Sequence, residues 1–181
     1  AVAGTDAAFI GVGAQADQTI FFGGGECTFE NLHLINNVPN GANNMVVRVG
    51  MHDAAGVNDV TDGVYLEVDL AGNGNANYWL CAASAGVRSK VDTGIAVTTA
   101  KRVVNIVVNA AGTLVTATID GVPSANSVVA QIPTTNANHT SNAWCVRMKS
   151  TSSCDHGAAV GHASPGFHPA GGTGQSRSST P

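Results

Sequence analysis

Charge is scarce in this sequence. Asp, Glu, Lys and Arg together make up 11% of its 181 residues, and aromatic residues only 5%. With Gly, Ala, Asn, Thr and Val in excess, the composition is that of an all-β protein. The scarcity of charge fits either a stiff sandwich of the secreted type or a subunit whose surface is largely covered by neighbours. The eight Lys and Arg are scattered, no aromatics interleave with them, and the net charge is −4, so nothing marks a nucleic-acid partner. No run of about 18 apolar residues could span a bilayer, and no membrane partner is expected. A basic stretch followed by an apolar core is missing from the first residues, so no signal peptide is expected. P-loop, dinucleotide fingerprint and Ser-His-Asp patterns are all missing, and with them the usual signs of turnover. Neither a catalytic residue nor a cofactor is assigned.

What the chain does have is alternation. Val104, Ile106 and Val108 share one face, with Asn105 and Asn109 on the other. After a break at Asn109-Ala-Ala-Gly112, Val115, Ala117 and Ile119 face in while Leu114, Thr116 and Thr118 face out. Period-2 patterning in β-branched residues marks half-buried antiparallel strands. Asp120-Gly121 is a two-residue hairpin signal, because a type I′ turn needs positive φ. The same reading places Met45, Val47, Val49 and Met51 inward with Val46 and Arg48 outward. It places Val64, Leu66, Val68 and Leu70 opposite Tyr65, Glu67 and Asp69, and Trp144, Val146 and Met148 opposite Cys145, Arg147 and Lys149. A strand over Cys27–Ile35, a hairpin about Ser84-Ala-Gly86 and a last stretch from Val122 to Ile132 complete about nine strands without helical periodicity. That pattern implies a two-sheet sandwich.

Several of these segments carry a resemblance. Asp92-Thr-Gly-Ile-Ala-Val97, Val107-Val-Asn-Ala-Ala-Gly-Thr113, Ile119-Asp-Gly-Val122 and Ile132-Pro-Thr-Thr135 resemble the concanavalin A-like (laminin-G-like) jelly-roll domains of tailed-bacteriophage structural proteins. Val47-Arg-Val-Gly50 and Asp62-Gly-Val-Tyr-Leu-Glu67 extend the likeness, which covers roughly residues 27 to 149. The resemblance implies an all-β, antiparallel two-sheet jelly-roll sandwich. It further implies a non-enzymatic virion protein assembled in the bacterial host cytoplasm. The leading expectation is a capsid decoration or cement protein, a homo-oligomer partnered by the major capsid protein or other virion subunits. The alternative is a receptor- or glycan-binding module of a head or tail fibre. The four cysteines, at 27, 81, 145 and 154, form no CxxC pair and read as reduced, buried thiols, one disulfide remaining open.

Three regions follow. Residues 1–25 read as an N-terminal arm or edge strand, with Thr19–Phe22 as a short apolar run and Gly23-Gly-Gly25 as a flexible joint. Residues 26–149 form the sandwich. Residues 150–181, rich in Ser, Gly, Pro, Ala and His, show no alternation and read as an irregular, extended C-terminal arm lying on a neighbour. The related family has a further closing strand after Lys149; without it, an edge is left for the N-terminal segment or another chain to cover.

Candidate chemistry is thin. The glucanase branch of the fold uses a strand motif Glu-x-Asp-x-x-Glu, whose two glutamates supply nucleophile and acid/base. Here Glu67-Val-Asp69 is followed by Leu70-Ala-Gly72, so the second Glu is missing and Glu67 and Asp69 read as solvated outer-face residues. A lectin-like cluster of Glu67, Asp69, Asn73, Asn75 and Asn77 loosely imitates a calcium site, though Asn-Gly runs are also ordinary turn chemistry. Asp69, Asn75 and Trp79 are the candidate glycan-binding residues. His156, His162 and His168 recur every six residues near Cys154, a spacing looser than that of structural zinc sites, and no metal is assigned.

Overall fold

The computed structural model describes residues 7–13, 22–35, 38, 40, 45–53, 59–135, 142–150 and 158–169, with the strands at 7–13, 142–150 and 158–169 described through their backbone pairing. In chain order the elements are β1 (Ala7–Gly13), β2 (Gly25–Ile35), β3 (Met45–His52), β4 (Gly63–Asp69), the single turn α1 (Leu70–Asn73), β5 (Asn77–Ser84), β6 (Val87–Ala96), β7 (Lys101–Val108), β8 (Val115–Ile119), β9 (Val122–Pro123), β10 (Asn142–Ser150) and β11 (Ala158–Pro169). They form a six-stranded sheet, β1-β10-β3-β4-β5-β6, and a five-stranded sheet, β11-β2-β7-β8-β9. Every pairing is antiparallel. The molecule is an all-β jelly-roll sandwich of the concanavalin A-like kind.

Most inward rows are the ones the alternation marks; Leu70 leaves its row to begin α1, and the side chains of Trp144, Val146 and Met148 lie outside the described residues. Met45, Val47, Val49 and Met51 from β3 and Val64, Leu66 and Val68 from β4 meet Val104, Ile106 and Val108 from β7 and Val115, Ala117 and Ile119 from β8 in one apolar cluster. At roughly 25 cal/mol per Å² of apolar area removed from water, this layer supplies the main drive for the two sheets to stay together. Both hairpin turns have the geometry their sequences demand: Ala85 and Gly86 have φ of 51° and 78°, and Asp120 and Gly121 have φ of 51° and 78°.

Three expectations are corrected and one alternative is decided. The C-terminal region 150–181 is not irregular throughout, because residues 158–169 form β11, paired with β2 from Ala158↔Ile35 to Pro169↔Gly25. An edge strand is held by backbone hydrogen bonds and tolerates Pro165 and glycine, so it needs no apolar alternation. For residues 1–25 the edge-strand alternative is the one found: β1 covers the outer edge of β10, from Ala7↔Lys149 to Gly13↔Asn142. Thr19–Phe21 lies outside the described residues, while Phe22 is buried in the core and donates its N–H to the Pro133 carbonyl at 2.9 Å. Gly23-Gly-Gly25 is held in place: Gly25 pairs with Pro169, and Gly23 lies against Gly112, where a Cβ would sit 2.9 Å from the Gly23 nitrogen, so glycine at 112 lets the two backbones pack. The stretch Val122–Ile132 yields only the two-residue β9 and a bridge at Val128 to Val115.

The outer face of the six-stranded sheet is not simply solvated. Residues 59–62, leading into β4, lie over it, placing Val60 against Tyr65, Cys81 and Ala83 in a second apolar cluster, with Trp79 packed alongside. Two carboxylates pin this segment. Asp53 accepts the N–H groups of Thr61 and Asp62, both at 3.0 Å, and Asp62 accepts the N–H of Ala85 at 2.9 Å in the β5–β6 turn.

Candidate functional site

Strand register lines up four residues across that outer face. Arg48 is opposite Glu67, Glu67 opposite Trp79, and Trp79 opposite Asp92, one from each of β3, β4, β5 and β6. Cross-strand neighbours on one face have Cβ atoms about 5 Å apart, so the row is a continuous polar and aromatic strip.

Its right-hand end is organised by Asp92. The carboxylate accepts the N–H of Gly94 at 2.7 Å, the Asn75 amide at 2.7 Å, and the Asn77 amide at 3.0 and 3.1 Å. Partial burial opposes its ionisation, but these donors together hold the Asp92 carboxyl below the usual carboxylate range. Asn75 passes the constraint on: its carbonyl oxygen accepts the Trp79 indole N–H at 2.9 Å and the Asn77 N–H at 3.2 Å. The Lys90 ammonium lies 5.5 Å from the Trp79 ring centroid and donates to Asn73 Oδ1 at 2.6 Å. A half-buried indole is thereby fixed in orientation and ringed by amide, carboxylate and ammonium groups.

The left-hand end is an ion network. Arg48 Nε donates to Glu67 Oε2 at 2.8 Å, and Arg48 Nη2 donates to Asp59 Oδ1 at 2.8 Å. Arg88 donates to both oxygens of Asp59 at 3.4 and 3.2 Å and lies 3.7 Å from Glu67. Glu67 and Arg48 are therefore not solvated outer-face residues; they are 2% and 8% exposed. Burial alone would lower the Arg48 pKa, but its hydrogen bond and charge pairing with Glu67 raise it above the ordinary arginine value.

Of the sequence candidates, Trp79 and Asn75 are brought into direct contact. Asp69 is engaged differently. It is the N-cap of α1, its carboxylate accepting the Gly72 N–H at 2.9 Å, so Leu70 begins a helical turn instead of extending the strand. Asp92, Lys90, Arg48, Arg88 and Asp59 were not singled out. Only the register of four strands and a folded loop bring them together, and no local spacing announces that. The calcium-like cluster does not form a cation cage, because Asn75 and Asn77 aim amide N–H groups, not carbonyl oxygens, at Asp92. Among the described residues, no group of three or more His, Cys, Asp or Glu could hold a metal ion. Cys154 and His156 lie outside the described residues, and so do the side chains of Cys145, His162 and His168. Cys27 and Cys81 are free and buried; burial pushes the Cys27 thiol up to about 11, which makes it unreactive.

No family model matches this chain, and no curated protein does either. Solved structures do. A carbohydrate-binding module, CBM66 from Bacillus subtilis, superposes with a TM-score of 0.50 at 12% identity, over 88% of this chain and 81% of that one. The galectin LEC-6 of Caenorhabditis elegans gives a TM-score of 0.41 at 11% identity, over 90% and 100%. An alginate lyase from Corynebacterium gives 0.40 at 10% identity, over 77% and 60%. The first likeness shows the fold: the chain is a concanavalin A-like jelly-roll sandwich. Carbohydrate-binding proteins and polysaccharide lyases both occur among the neighbours.

Proposed function

We propose that this chain is a non-enzymatic, lectin-like glycan-binding module, with Trp79 as its aromatic platform. The observation that carries the reading is the hydrogen-bonded series Asp92–Asn75–Trp79, half-exposed at the β5–β6 end of the outer sheet face. A sugar presents one apolar C–H face and a rim of hydroxyls. A fixed indole next to carboxylate, amide and ammonium groups suits both, and holding the ring in place beforehand lowers the entropy lost on binding. The carbohydrate-binding module that shares the fold supports the reading at the level of architecture. Against turnover stands Glu67, whose carboxylate is held by Arg48 and sealed from solvent.

Capsid decoration by free arms loses its tether over 158–169, since that segment is a strand of the sandwich. Display on a virion, as the phage resemblance implies, would put the module where it meets glycans of the host surface, with fibre or shell subunits as partners.

A glycan array followed by calorimetry tests the reading. Saturable binding is expected, unchanged by a chelator, and lost by tenfold or more in Trp79→Ala while the variant, though less stable, still melts in one cooperative transition above the assay temperature (an aromatic anchor commonly carries about 2 kcal/mol). Asn75→Ala should weaken binding less, by releasing the indole. Failure of every glycan class to bind, or full binding by Trp79→Ala, refutes the proposal.

A further inference from the structure

Asp59 is the anomalous member of the ion network. Glu67 secures both arginines from beneath, from within the sheet and almost wholly buried, whereas the Asp59 side chain is 67% exposed and comes from a loop. Its two oxygens are gripped by Arg88 Nη1 and Nη2, while Arg48 Nη2 takes the nearer oxygen. A planar carboxylate is the species such a fork selects. The Arg88–Asp59 pair, 32% and 67% exposed, contributes little to stability, so an incoming carboxylate can displace Asp59 from Arg88 at small cost.

We infer that Arg88 and Arg48 form a carboxylate subsite, occupied in the free protein by Asp59 and taken over by the carboxyl group of a hexuronate residue when an acidic glycan binds. The inference rests on the glycan-binding reading and adds the substrate class. The fork is next to the platform: Glu67, which anchors both guanidiniums, is the direct cross-strand neighbour of Trp79. Arg88 itself pairs with Ala83, further along β5 than Trp79, but its guanidinium comes within 3.7 Å of Glu67, so one sugar on the indole and the carboxyl of the same or the adjoining unit on Arg88 would flank the same glutamate. The local charge is balanced while Asp59 is in place, with Arg48, Arg88 and Lys90 against Glu67, Asp59 and Asp92; displacing Asp59 leaves the strip net positive and suited to an anionic group. The chain's net charge of −4 disfavours a polyanion at long range, but screening confines that to about 8 Å at physiological salt, so the local fork decides.

The test compares the wild type, Asp59→Ala and Arg88→Ala by calorimetry against oligogalacturonate, oligomannuronate, a neutral galactan, a sulfated glycan and poly-glutamate. Arg48 is left intact because it also holds Glu67. Removing the internal competitor should tighten uronate binding in Asp59→Ala by about tenfold. Arg88→Ala should weaken it by at least as much, with neutral-glycan affinity changed less than twofold in both. Melting curves show whether each variant is folded, and Arg88→Lys, which keeps charge but loses the fork, should recover only part of the affinity. The inference is overturned if Asp59→Ala leaves uronate binding unchanged or weaker, or tightens neutral and acidic glycans equally. Preference for the sulfated glycan or for poly-glutamate over uronates overturns it too. Neutral glycans binding through Trp79 without any uronate preference would sink the subsite alone. Absence of binding to every glycan would sink both this and the module reading.

Discussion

Arg48 and Glu67 face each other across β3 and β4, joined by a 2.8 Å hydrogen bond between Nε and Oε2 and covered by the loop that carries Val60. Taking two charges out of water is costly, and a buried pair stays viable only while both partners are present. Glu67→Ala should therefore destabilise by about 3–5 kcal/mol, because it removes the buried carboxylate partner of a guanidinium that is itself 10% exposed. Replacing both at once, Arg48→Met with Glu67→Leu, should recover most of the loss. Urea unfolding of the two single variants and the double variant measures the coupling, and additive losses would show that the pair is solvated after all.

His33 sets the pH dependence. It points into the sandwich, 1% exposed, with Nε2 2.9 Å from the Tyr78 hydroxyl. Burial pushes its pKa from 6.5 down to about 4, the Asp120 carboxylate opposing this and Arg102 adding to it. The folded value lies below the unfolded one, so above pH 6.5 neither state is protonated and nothing is lost. As pH falls from 6.5 to about 4 the unfolded chain takes up a proton that the folded chain refuses, and stability drops. Below that window both states are protonated and the loss levels off, at on the order of 3 kcal/mol. His33→Gln keeps a hydrogen-bonding partner for Tyr78 without titrating there. Its unfolding midpoint should vary less than that of wild type across this window, the carboxylates common to both proteins cancelling in the comparison.

Much of this fold was legible in period-2 patterning, and the reason it failed elsewhere is specific. Val104, Ile106 and Val108 alternate with residues half in water, so their face could be read directly. On β4 the alternation of Val64, Leu66 and Val68 with Tyr65 and Glu67 was equally clear, yet both faces are buried. Alternation tells which residues share a face, not whether a loop 10 or so residues away folds over it. β11 escaped notice for the opposite reason: edge pairing is carried by the backbone, and Ala158–Pro169 has no side-chain rhythm to read. In the candidate site, Asn75 and Trp79 were visible as a polar turn beside an aromatic. Asp92, 17 residues from Asn75, was joined to them only by strand register.

Gly50 illustrates a constraint of close approach. A Cβ there would lie 2.5 Å from the Val64 carbonyl oxygen and 2.6 Å from the Tyr65 Cα, both backbone atoms of the adjoining strand. Gly50→Ala should cost about 1–3 kcal/mol, as overpacking of a rigid site does. At Gly24, where an added Cβ meets nothing within 4 Å, alanine should change stability by less than about 0.5 kcal/mol. Equal melting temperatures for the two variants would contradict the β3–β4 packing.

The role of β11 separates two mechanical accounts of the C-terminal region. If 150–181 were only a tether for neighbours, its removal would leave the sandwich as stable as before. With β11 in place, its backbone pairs with β2 along nearly the whole of that strand, from Gly25 to Ile35, and β2 in turn carries Phe29 and His33 into the core. Cutting the chain after residue 157 would strip β2 of one row of hydrogen bonds and turn it into an eleven-residue exposed edge. At a net of about 1 kcal/mol per hydrogen bond, the loss should be on the order of 3 kcal/mol or more. The freed edge should also make the truncated protein associate with rising concentration, which sedimentation would detect. Substituting Val160→Pro, which removes one donor from a strand that already holds Pro165, should fall between full-length and truncated proteins in stability. A truncated chain that melts at the wild-type temperature and stays monomeric would return the segment to the status of a free arm.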